Sequence, residues 1–265
     1  NFRDIAEQNE NWIIEQRRYF HAHPEVSLKE FKTSVRIEEE LDKVGIEHTR
    51  VGETGVYARV VGKKTVEGKT KIVALRADMD ALGMDDLKNC DYSSQNPGFC
   101  HACGHDGHTA TLLAAARILK SMENDFAGEV RFFFQQAEEI GQGARQFVAA
   151  GLLEGVDRIY GQHVTNTLNV GQVGIVAGPL NASCDFFRID VKGKGAHVSM
   201  PHKGVDALYV ASQIVVAVQS IVARSTDPME SAVVGIGKAW AGTQYNIVAE
   251  EAVLEGGPGL DGDAL

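Results

Sequence analysis

Short apolar runs alternate with longer amphipathic segments along this chain, and that alternation limits its fold more than any other feature. The apolar runs are KIVALRADMDAL (71–82), EVRFFFQQAEE (129–139) and DRIYGQHV (157–164). Between them, the stretches 109–122 and 143–155 have the composition of helices. Runs that are apolar along their whole length are typical of inner strands in a sheet covered by helices. The pattern predicts an α/β fold with a mostly parallel sheet flanked by helices, and a core strand at 157–164.

Two amphipathic helices are predicted before this sheet. The first covers ENWIIEQRRYFHA and ends before Pro24. Ser27 is followed three residues later by Glu30, a spacing typical of a capping box. The second helix is therefore predicted to begin there and to end at Gly45.

The pattern changes near residue 183. From there a half-exposed strand, a long apolar helix and two further strands follow one another. An antiparallel sheet with one solvated face accounts for the alternation in these strands. We therefore predict a larger domain over residues 1–182 and a smaller α+β domain over 183–256.

The charge balance argues against several kinds of partner. The 265 residues include 26 Lys and Arg against 36 Asp and Glu, a formal net charge of −10. Nucleic acids and anionic membranes attract basic patches, so neither is expected as a partner. A spanning helix needs roughly 18–20 apolar residues, and no run is expected to reach that length.

The cysteine content and the N-terminal stretch predict the location of the protein. Four cysteines are too few to read as a disulfide framework for a chain of this size. The stretch NFRDIAEQNENW is polar and acidic, unlike a signal peptide. A reducing, cytoplasmic location is expected.

Polar side chains gather where the apolar runs end. Asp78 and Asp80 close the first run, Glu138 and Glu139 the second, and His163 the third. Ligands of open α/β sheets bind at the carboxyl ends of the strands. These side chains are therefore expected to meet at one edge of the sheet.

The stretch HACGHDGHTA holds the densest set of reactive side chains. Cys103 and His105 stand two residues apart, so a tight loop can aim both at one point. Sulfur, imidazole and carboxylate together suit zinc or a similar divalent ion better than magnesium or calcium. With Glu139 and His163 arriving from strand ends, the pattern favours a metal site. Asp106 would support its ligands without binding the metal.

Two other interpretations of this stretch remain open. In one, the loop only caps a helix that begins near Gly107, with Asp106 as its N-cap. In the other, Cys103 is a nucleophile with a histidine base. The adjacent Glu138 and Glu139 favour the metal site, because neighbours at a strand end point in opposite directions. One can bind metal while the other, if the strand bends, acts as general base towards a metal-activated water.

A series of motifs spans residues 14–256, nearly the whole chain. They are RRYFHAHPEVSLKE, LRADMDAL, NPGFCHACGHDGHTA, QQAEE, GQHV, GKGAHVSMPHKGVDAL and GTQYNIVAEEAVLEG. In this order they resemble the aminoacylase and carboxypeptidase family of metallopeptidases. The closest branch is that of the N-acyl amino acid and auxin-conjugate (IAA-amino acid) amidohydrolases. The resemblance implies a zinc-peptidase-like catalytic domain and an inserted lid and dimerisation domain.

The resemblance also implies roles for individual residues. The positions that match the family's metal ligands are Cys103, His105, Glu139 and His163. Two divalent ions per chain are implied, with zinc the first choice and manganese, cobalt and nickel the alternatives. Glu138 matches the general base that takes a proton from the attacking water and passes it to the leaving amine.

Further residues and a partner follow from the same resemblance. In the smaller domain, His197 and Asn246 match residues that hold the substrate carbonyl or the oxyanion. Asp80 and Asp106 are expected to support the metal cluster from behind its ligands. The family's lid histidine can come from the partner subunit, so a homodimer through the lid domain is implied. The implied substrates are small N-acyl or aroyl amino acids, cleaved at the amide bond.

The chain departs from the family pattern in three respects. Gly83 and Gln136 stand where the family has proline, which affects loop stiffness more than chemistry. The family completes its site with a histidine from the C-terminal part of the catalytic domain, and no histidine follows His202. Residues 257–265 are therefore expected to be an incomplete remnant of that part, in a shortened sequence. The alternative is a non-catalytic or degenerate metal-binding dimerisation module that lacks the last ligand.

Overall fold

The computed structural model describes residues 1–178 and 183–260 of the protein. Contacts divide the chain into two compact units, Asn1–Thr167 and Leu168–Leu265. The domain limits predicted from the sequence, at 182/183 and 256/257, stay predictions; residues 179–182 and 261–265 lie outside the described residues.

The first unit is a five-stranded sheet with helices packed against it. Its strands are β1 (Glu47–Val51), β2 (Gly55–Lys63), β3 (Ile72–Asp78), β4 (Ala127–Gln135) and β5 (Arg158–Gly161). Its helices are α1 (Phe2–Gln8), α2 (Glu10–Ala22), α3 (Phe31–Lys43), α4 (His105–Ser121) and α5 (Gly143–Ala149). The order across the sheet is β1-β2-β4-β3-β5.

Strand direction brings the polar strand ends to one edge. Strands β4, β3 and β5 run parallel; β2 lies antiparallel to β4, and β1 antiparallel to β2. The predicted α/β class is confirmed, and the carboxyl ends of β3, β4 and β5 share an edge. The prediction of a core strand at 157–164 is wrong for the residues described. There β5 is an edge strand with four exposed residues.

The core of this unit lies between the sheet and helices α2, α3 and α4. Its largest fully buried side chains include Phe20, Ile37, Leu113, Phe132 and Phe134. Burying an apolar side chain of this size stabilises the fold by about 1.5–3 kcal/mol. The core therefore holds the ends of β3, β4 and α4 in a fixed arrangement.

Helix α4 begins earlier than the sequence pattern predicts. Its first residue is His105, and its N-cap is Gly104 at a φ of 86°, a left-handed conformation that favours glycine. The interpretation of Asp106 as N-cap is therefore wrong, because Asp106 lies within the first turn. The start of the helix itself carries one of the predicted metal ligands.

The capping box predicted for α3 does not form. The helix begins at Phe31, and Glu30 occupies the N-cap position without a side-chain cap hydrogen bond. The side chains of Ser27 and Glu30 bond to other parts of the unit instead.

The second unit is an antiparallel sheet with two helices. Its strands are β6 (Ser183–Cys184), β7 (Phe187–Lys192), β8 (Ala232–Ala241) and β9 (Glu251–Leu260), and its helices are α6 (Ala207–Ala217) and α7 (Gln219–Ser225). Strand β9 pairs with the other three. Ala207 and Ala211 of α6 pack on Ala252 and Leu254 of β9. This arrangement agrees with the α+β pattern predicted after residue 183.

Within residues 1–178 and 183–260, one apolar helical segment is long enough to cross a membrane. Ala207–Ser225 has 19 residues and a mean hydropathy of 1.5, so the expectation that no run reaches this length is wrong. The segment is divided at Val218 into α6 and α7, and Ile214 and Val215 pack with the core of their unit. The criterion uses only length and composition, so a helix that packs one face on a sheet can meet it as well as a helix that spans a membrane.

Candidate metal centre

Three segments of the first unit bring the four predicted metal ligands together. Cys103 lies just before α4 and His105 begins it, while Glu139 follows β4 and His163 follows β5. Ligand atoms of Cys103, His105 and His163 lie within 4.8 Å of one another. The same holds for His105, Glu138 and Glu139. The structure thus gathers all four predicted ligands and the predicted base.

His105 is shared by both groups and is fully buried. Its Nε2 lies 3.8 Å from Oε2 of Glu138 and 3.8 Å from Oε1 of Glu139. Sγ of Cys103 lies 3.3 Å from Nε2 of His163. The side chains of both glutamates therefore face one imidazole nitrogen. In an extended strand, the side chains of two neighbouring residues would point in opposite directions. Here both face the same way because β4 ends before them and the chain turns.

Two buried polar atoms in this cluster have no hydrogen-bond partner in the described part of the chain. They are Nε2 of His105 and Oε1 of Glu139. An unsatisfied buried polar atom costs about 1–3 kcal/mol. Thiolate sulfur, imidazole nitrogen and carboxylate oxygen are the ligands that zinc and related ions take in proteins. The residues present therefore fit a divalent metal ion.

Asp80 contacts both sides of the cluster. Nδ1 of His105 donates to the Asp80 carbonyl oxygen at 2.8 Å, which leaves Nε2 able to bind a metal. The carboxylate oxygens of Asp80 accept the backbone N–H groups of Glu138 and Glu139, each at 3.1 Å. Burial raises the pKa of Asp80, but hydrogen bonds from His105 and Ser27 lower it overall. These contacts suit the supporting role predicted for it.

Asp106 is buried, but its partners differ from those expected. Its Oδ2 accepts Nδ1–H of His21 at 2.7 Å and forms an ion pair with Arg17, whose Nε lies 3.0 Å away. Burial raises its pKa, but the hydrogen bond from His21 and the charge of Arg17 are among several effects that together lower it overall. Asp106 therefore ties the first turn of α4 to α2. It supports the neighbouring ligand through the backbone.

A second group of ligand-type side chains lies in the same unit. It consists of His21, Asp86 and Cys100. The ammonium of Lys88 lies 3.2 Å from Nε2 of His21. On the other side of that ring, Nδ1 contacts the carboxylate of Asp106, which pairs with Arg17. Two cations of the chain thus balance the two carboxylates around His21. We interpret this group as a structural ion cluster.

His108 makes contacts that the sequence did not predict. Its Nδ1 donates to Oδ1 of Asp78 at 2.6 Å, and its Nε2 accepts the backbone N–H of Val164 at 2.9 Å. Burial raises the pKa of Asp78, but the His108 hydrogen bond and nearby positive charges lower it to about 2. Because Val164 follows His163, His108 fixes the segment that carries this ligand. The only sequence signal was its position three residues after His105.

The surroundings of Cys103 disfavour the nucleophile interpretation. Burial raises the pKa of its thiol to about 12, and the charge of Glu139 adds to this effect. A nucleophilic cysteine needs electropositive surroundings that lower its pKa. A bound metal ion, by contrast, ionises a coordinating thiol outright. The local charges therefore favour Cys103 as a ligand.

The two remaining predicted residues, His197 and Asn246, lie side by side in the second unit. His197 forms a bridge with Ile247, and the Val198 N–H donates to the Asn246 carbonyl oxygen at 3.0 Å. Nδ1 of His197 lies 2.8 Å from the Ser199 hydroxyl. Oδ1 of Asn246 is buried without a partner among the described residues. Their part in substrate binding stays a prediction.

A strained residue precedes the two glutamates. Ala137 has a φ of 50°, a left-handed conformation that costs a residue with a Cβ about 1–2 kcal/mol. Its backbone N–H donates to Oε1 of Glu30 at 2.8 Å. This turn lets Glu138 and Glu139 face the same imidazole.

Replacing Ala137 by glycine is expected to destabilise the protein less than the same change at Ala116 of α4. Both alanines are fully buried, so each variant loses about 0.8 kcal/mol of methyl burial. Glycine relieves left-handed strain at position 137, whereas it weakens a helix at position 116. Urea unfolding should give Ala137→Gly a free energy of unfolding about 1–2 kcal/mol above that of Ala116→Gly. Equal values would contradict the strained turn.

The sequence matches one family model. Residues 74–259 match the Peptidase family M20/M25/M40. The chain is 43% identical over 246 residues to an N-acyl-L-amino acid amidohydrolase of Geobacillus stearothermophilus, covering 92% of this chain and 65% of that protein. It is 40% identical over 258 residues to the IAA-amino acid hydrolase ILR1-like 4 of Arabidopsis thaliana, covering 96% and 58% respectively.

A solved structure has a similar fold. It is a Bacillus subtilis protein described as a dinuclear metal binding peptidase from the M20 family, with a TM-score of 0.73 and 36% identity. The match covers 97% of this chain and 66% of that one. The chain thus spans between 58% and 66% of the length of these three relatives.

Proposed function

Since the chain belongs to the peptidase family M20/M25/M40, we propose that it is a metal-dependent amidohydrolase that cleaves the amide bond of N-acyl amino acids. The observation that carries the proposal is the cluster of Cys103, His105, Glu139 and His163 beside Glu138. Two of its buried ligand atoms have no partner among the described residues. The names of the bacterial and plant relatives support the substrate class.

The proposed cofactor is a pair of divalent metal ions per chain. Their ligands would be Cys103, His105, Glu139 and His163. A thiolate beside imidazoles favours zinc, and manganese, cobalt and nickel are the alternatives. Such ions, when bound, lower the pKa of a water molecule and polarise the carbonyl of the substrate. The dinuclear relative supports the number of ions.

Glu138 is the proposed general base. Its side chain is 40% exposed, whereas that of Glu139 is 22% exposed. The more exposed carboxylate can reach water and substrate, and the more buried one is left to bind metal. Glu138 would take a proton from the attacking water and give it to the nitrogen of the leaving amino acid. The backbone N–H of Glu138 donates to Asp80, and this hydrogen bond fixes the backbone from which the Glu138 carboxylate extends.

His197 and Asn246 are the proposed binding groups for the acyl carbonyl. An imidazole and a carboxamide both supply N–H donors, which stabilise the carbonyl oxygen as it gains negative charge in the transition state. Their adjacent backbones place both side chains in one part of the second unit.

A homodimer through the second unit, in the cytoplasm, completes the proposal. Helix α6 exposes Leu208, Tyr209 and Val216, which are suited to an apolar interface. The low cysteine content supports a reducing compartment.

A substrate panel tests the proposal. The protein, purified without chelator, is incubated with zinc or manganese and with N-acetyl, N-benzoyl and indole-3-acetyl amino acids, and released amino acid is measured. At least one amide should turn over at roughly 1–10³ per second. If metal binds but none of the amides is cleaved, the alternative of a non-catalytic metal-binding module is favoured instead.

A further inference from the structure

Two polar side chains of the segment between α2 and α3, residues 23–30, contact the surroundings of the candidate metal centre. The Ser27 hydroxyl donates to Oδ2 of Asp80 at 2.6 Å. Glu30 is fully buried; its Oε1 accepts the backbone N–H of Ala137 at 2.8 Å, and its Oε2 accepts the Thr54 hydroxyl at 2.8 Å. These are the two residues whose spacing resembles a capping box, and neither caps the helix.

Two carboxylates hold three successive backbone N–H groups of the turn after β4. Glu30 accepts the N–H of Ala137, and Asp80 accepts those of Glu138 and Glu139. Backbone N–H groups that converge in a turn favour a bound anion. In this turn the anions are side chains of the protein.

The turn needs such support because of its conformation. Ala137 lies in the left-handed region, where a residue with a Cβ persists only if its surroundings enforce it. The residue is fully buried, so water is not available to its N–H. Without Glu30, this donor would be left unpaired in the interior.

The supporting segment is itself tied to the strand end that carries Asp80. Val26 forms a bridge with Ala81, and the Ala81 N–H donates to the Glu25 carbonyl oxygen at 2.8 Å. Leu28 adopts a φ of 63°, so the segment turns sharply between its two contacts with the site. The segment therefore links the ends of β3 and β4.

We propose that Glu30, assisted by Ser27, is a positioning residue that sets the place of the general base Glu138 and the metal ligand Glu139. This inference rests on the function proposed above for these two glutamates. Glu30 acts by holding Ala137 in its left-handed conformation. Ser27 acts by orienting the carboxylate of Asp80.

Three variants test the main contact. Glu30→Ala removes the acceptor for the Ala137 N–H, whereas Glu30→Gln keeps an oxygen there without the charge. The control is Glu40→Ala, since Glu40 is also buried, lies on α3, and pairs with Arg36 and Lys43 away from the turn. Each purified variant is compared with wild type in kcat, KM, zinc affinity by chelator competition, and amide hydrogen exchange of Ala137.

Glu30→Ala is expected to lower kcat by on the order of 10²-fold, because a small misplacement of a catalytic group has effects of that size. KM should stay nearly unchanged, since the loss is in the transition state. Zinc affinity should fall because the ligand Glu139 is displaced. The Ala137 amide should exchange faster because it has lost its acceptor. Glu30→Gln should have a kcat close to that of wild type. Glu40→Ala should match wild type in kcat, KM, zinc affinity and Ala137 exchange.

The proposal is overturned if Glu30→Ala keeps wild-type kcat and Ala137 exchange, or if Glu40→Ala lowers kcat as much. If Glu30→Ala does not fold, Ser27→Ala is measured instead. A smaller fall in kcat at constant KM supports the proposal, and an unchanged kcat overturns it. If wild type cleaves no amide, the proposed function fails. The exchange of the Ala137 amide then tests the positioning role separately: faster exchange in Glu30→Ala than in wild type and Glu40→Ala supports it, and equal exchange in all three overturns it.

Discussion

Replacement of Glu138 by glutamine is expected to lower kcat by about 10²–10⁴-fold while leaving bound metal in place. The amide of glutamine cannot take a proton from water, yet it keeps the size of the side chain. The backbone contact with Asp80 is unaffected by the change, so the turn stays in position. Steady-state kinetics and metal analysis of the same preparation measure both parts of this expectation.

Two matched variants make this result specific. Glu139→Gln should lose metal together with activity, because Glu139 offers the unpartnered buried oxygen. Glu129→Gln, on β4 and paired with Arg131, should change neither. An active Glu138→Gln variant with wild-type kcat would show that another group is the base.

Removal of metal is expected to abolish turnover, and zinc or manganese should restore it. Cys103→Ala should weaken metal binding by more than the 10–100-fold that follows loss of an outer partner of a ligand. Cys90→Ala is the control, because Cys90 is exposed and outside the cluster. Activity that survives a strong chelator but is lost on alkylation would support cysteine-dependent hydrolysis instead.

The pH dependence of metal binding follows from the Cys103 thiol. Its pKa of about 12 in the metal-free protein keeps it protonated at neutral pH, and it must lose that proton to bind metal. Apparent affinity should therefore rise with pH, by about tenfold per pH unit for each proton released. Chelator competition between pH 6 and pH 8 measures this slope, and a pH-independent affinity would exclude Cys103 as a thiolate ligand.

Most of the candidate site could be predicted from the sequence, because the predicted ligands lie just after strands or beside the start of one helix. Cys103, His105, Glu139 and His163 were predicted as ligands, and the structure gathers them. The supporting contacts were harder to predict. The spacing of Ser27 and Glu30 fits a local capping box, whereas their partners lie 53 and 107 residues away along the chain.

The fold shows the same division between local and distant information. Periodicity predicted the alternation of strands and helices, but the placement of β5 at the edge depends on which strands pair. The start of α4 depends on Gly104, whose left-handed conformation the pattern did not reveal. Helix ends and strand order are set by contacts that a window of sequence does not contain.

What the sequence by itself determined is the α/β class, the family and a set of candidate metal ligands. The class follows from periodicity, the candidate ligands from residue types within short motifs, and the family from the resemblance of those motifs; all three are read from local stretches of sequence. Only the tertiary structure decided that Glu30 supports Ala137, that Asp106 bonds His21, and that both adjacent glutamates face His105. The physical reason is that a buried polar group takes whichever partner packing brings to it. That partner is set by the whole fold.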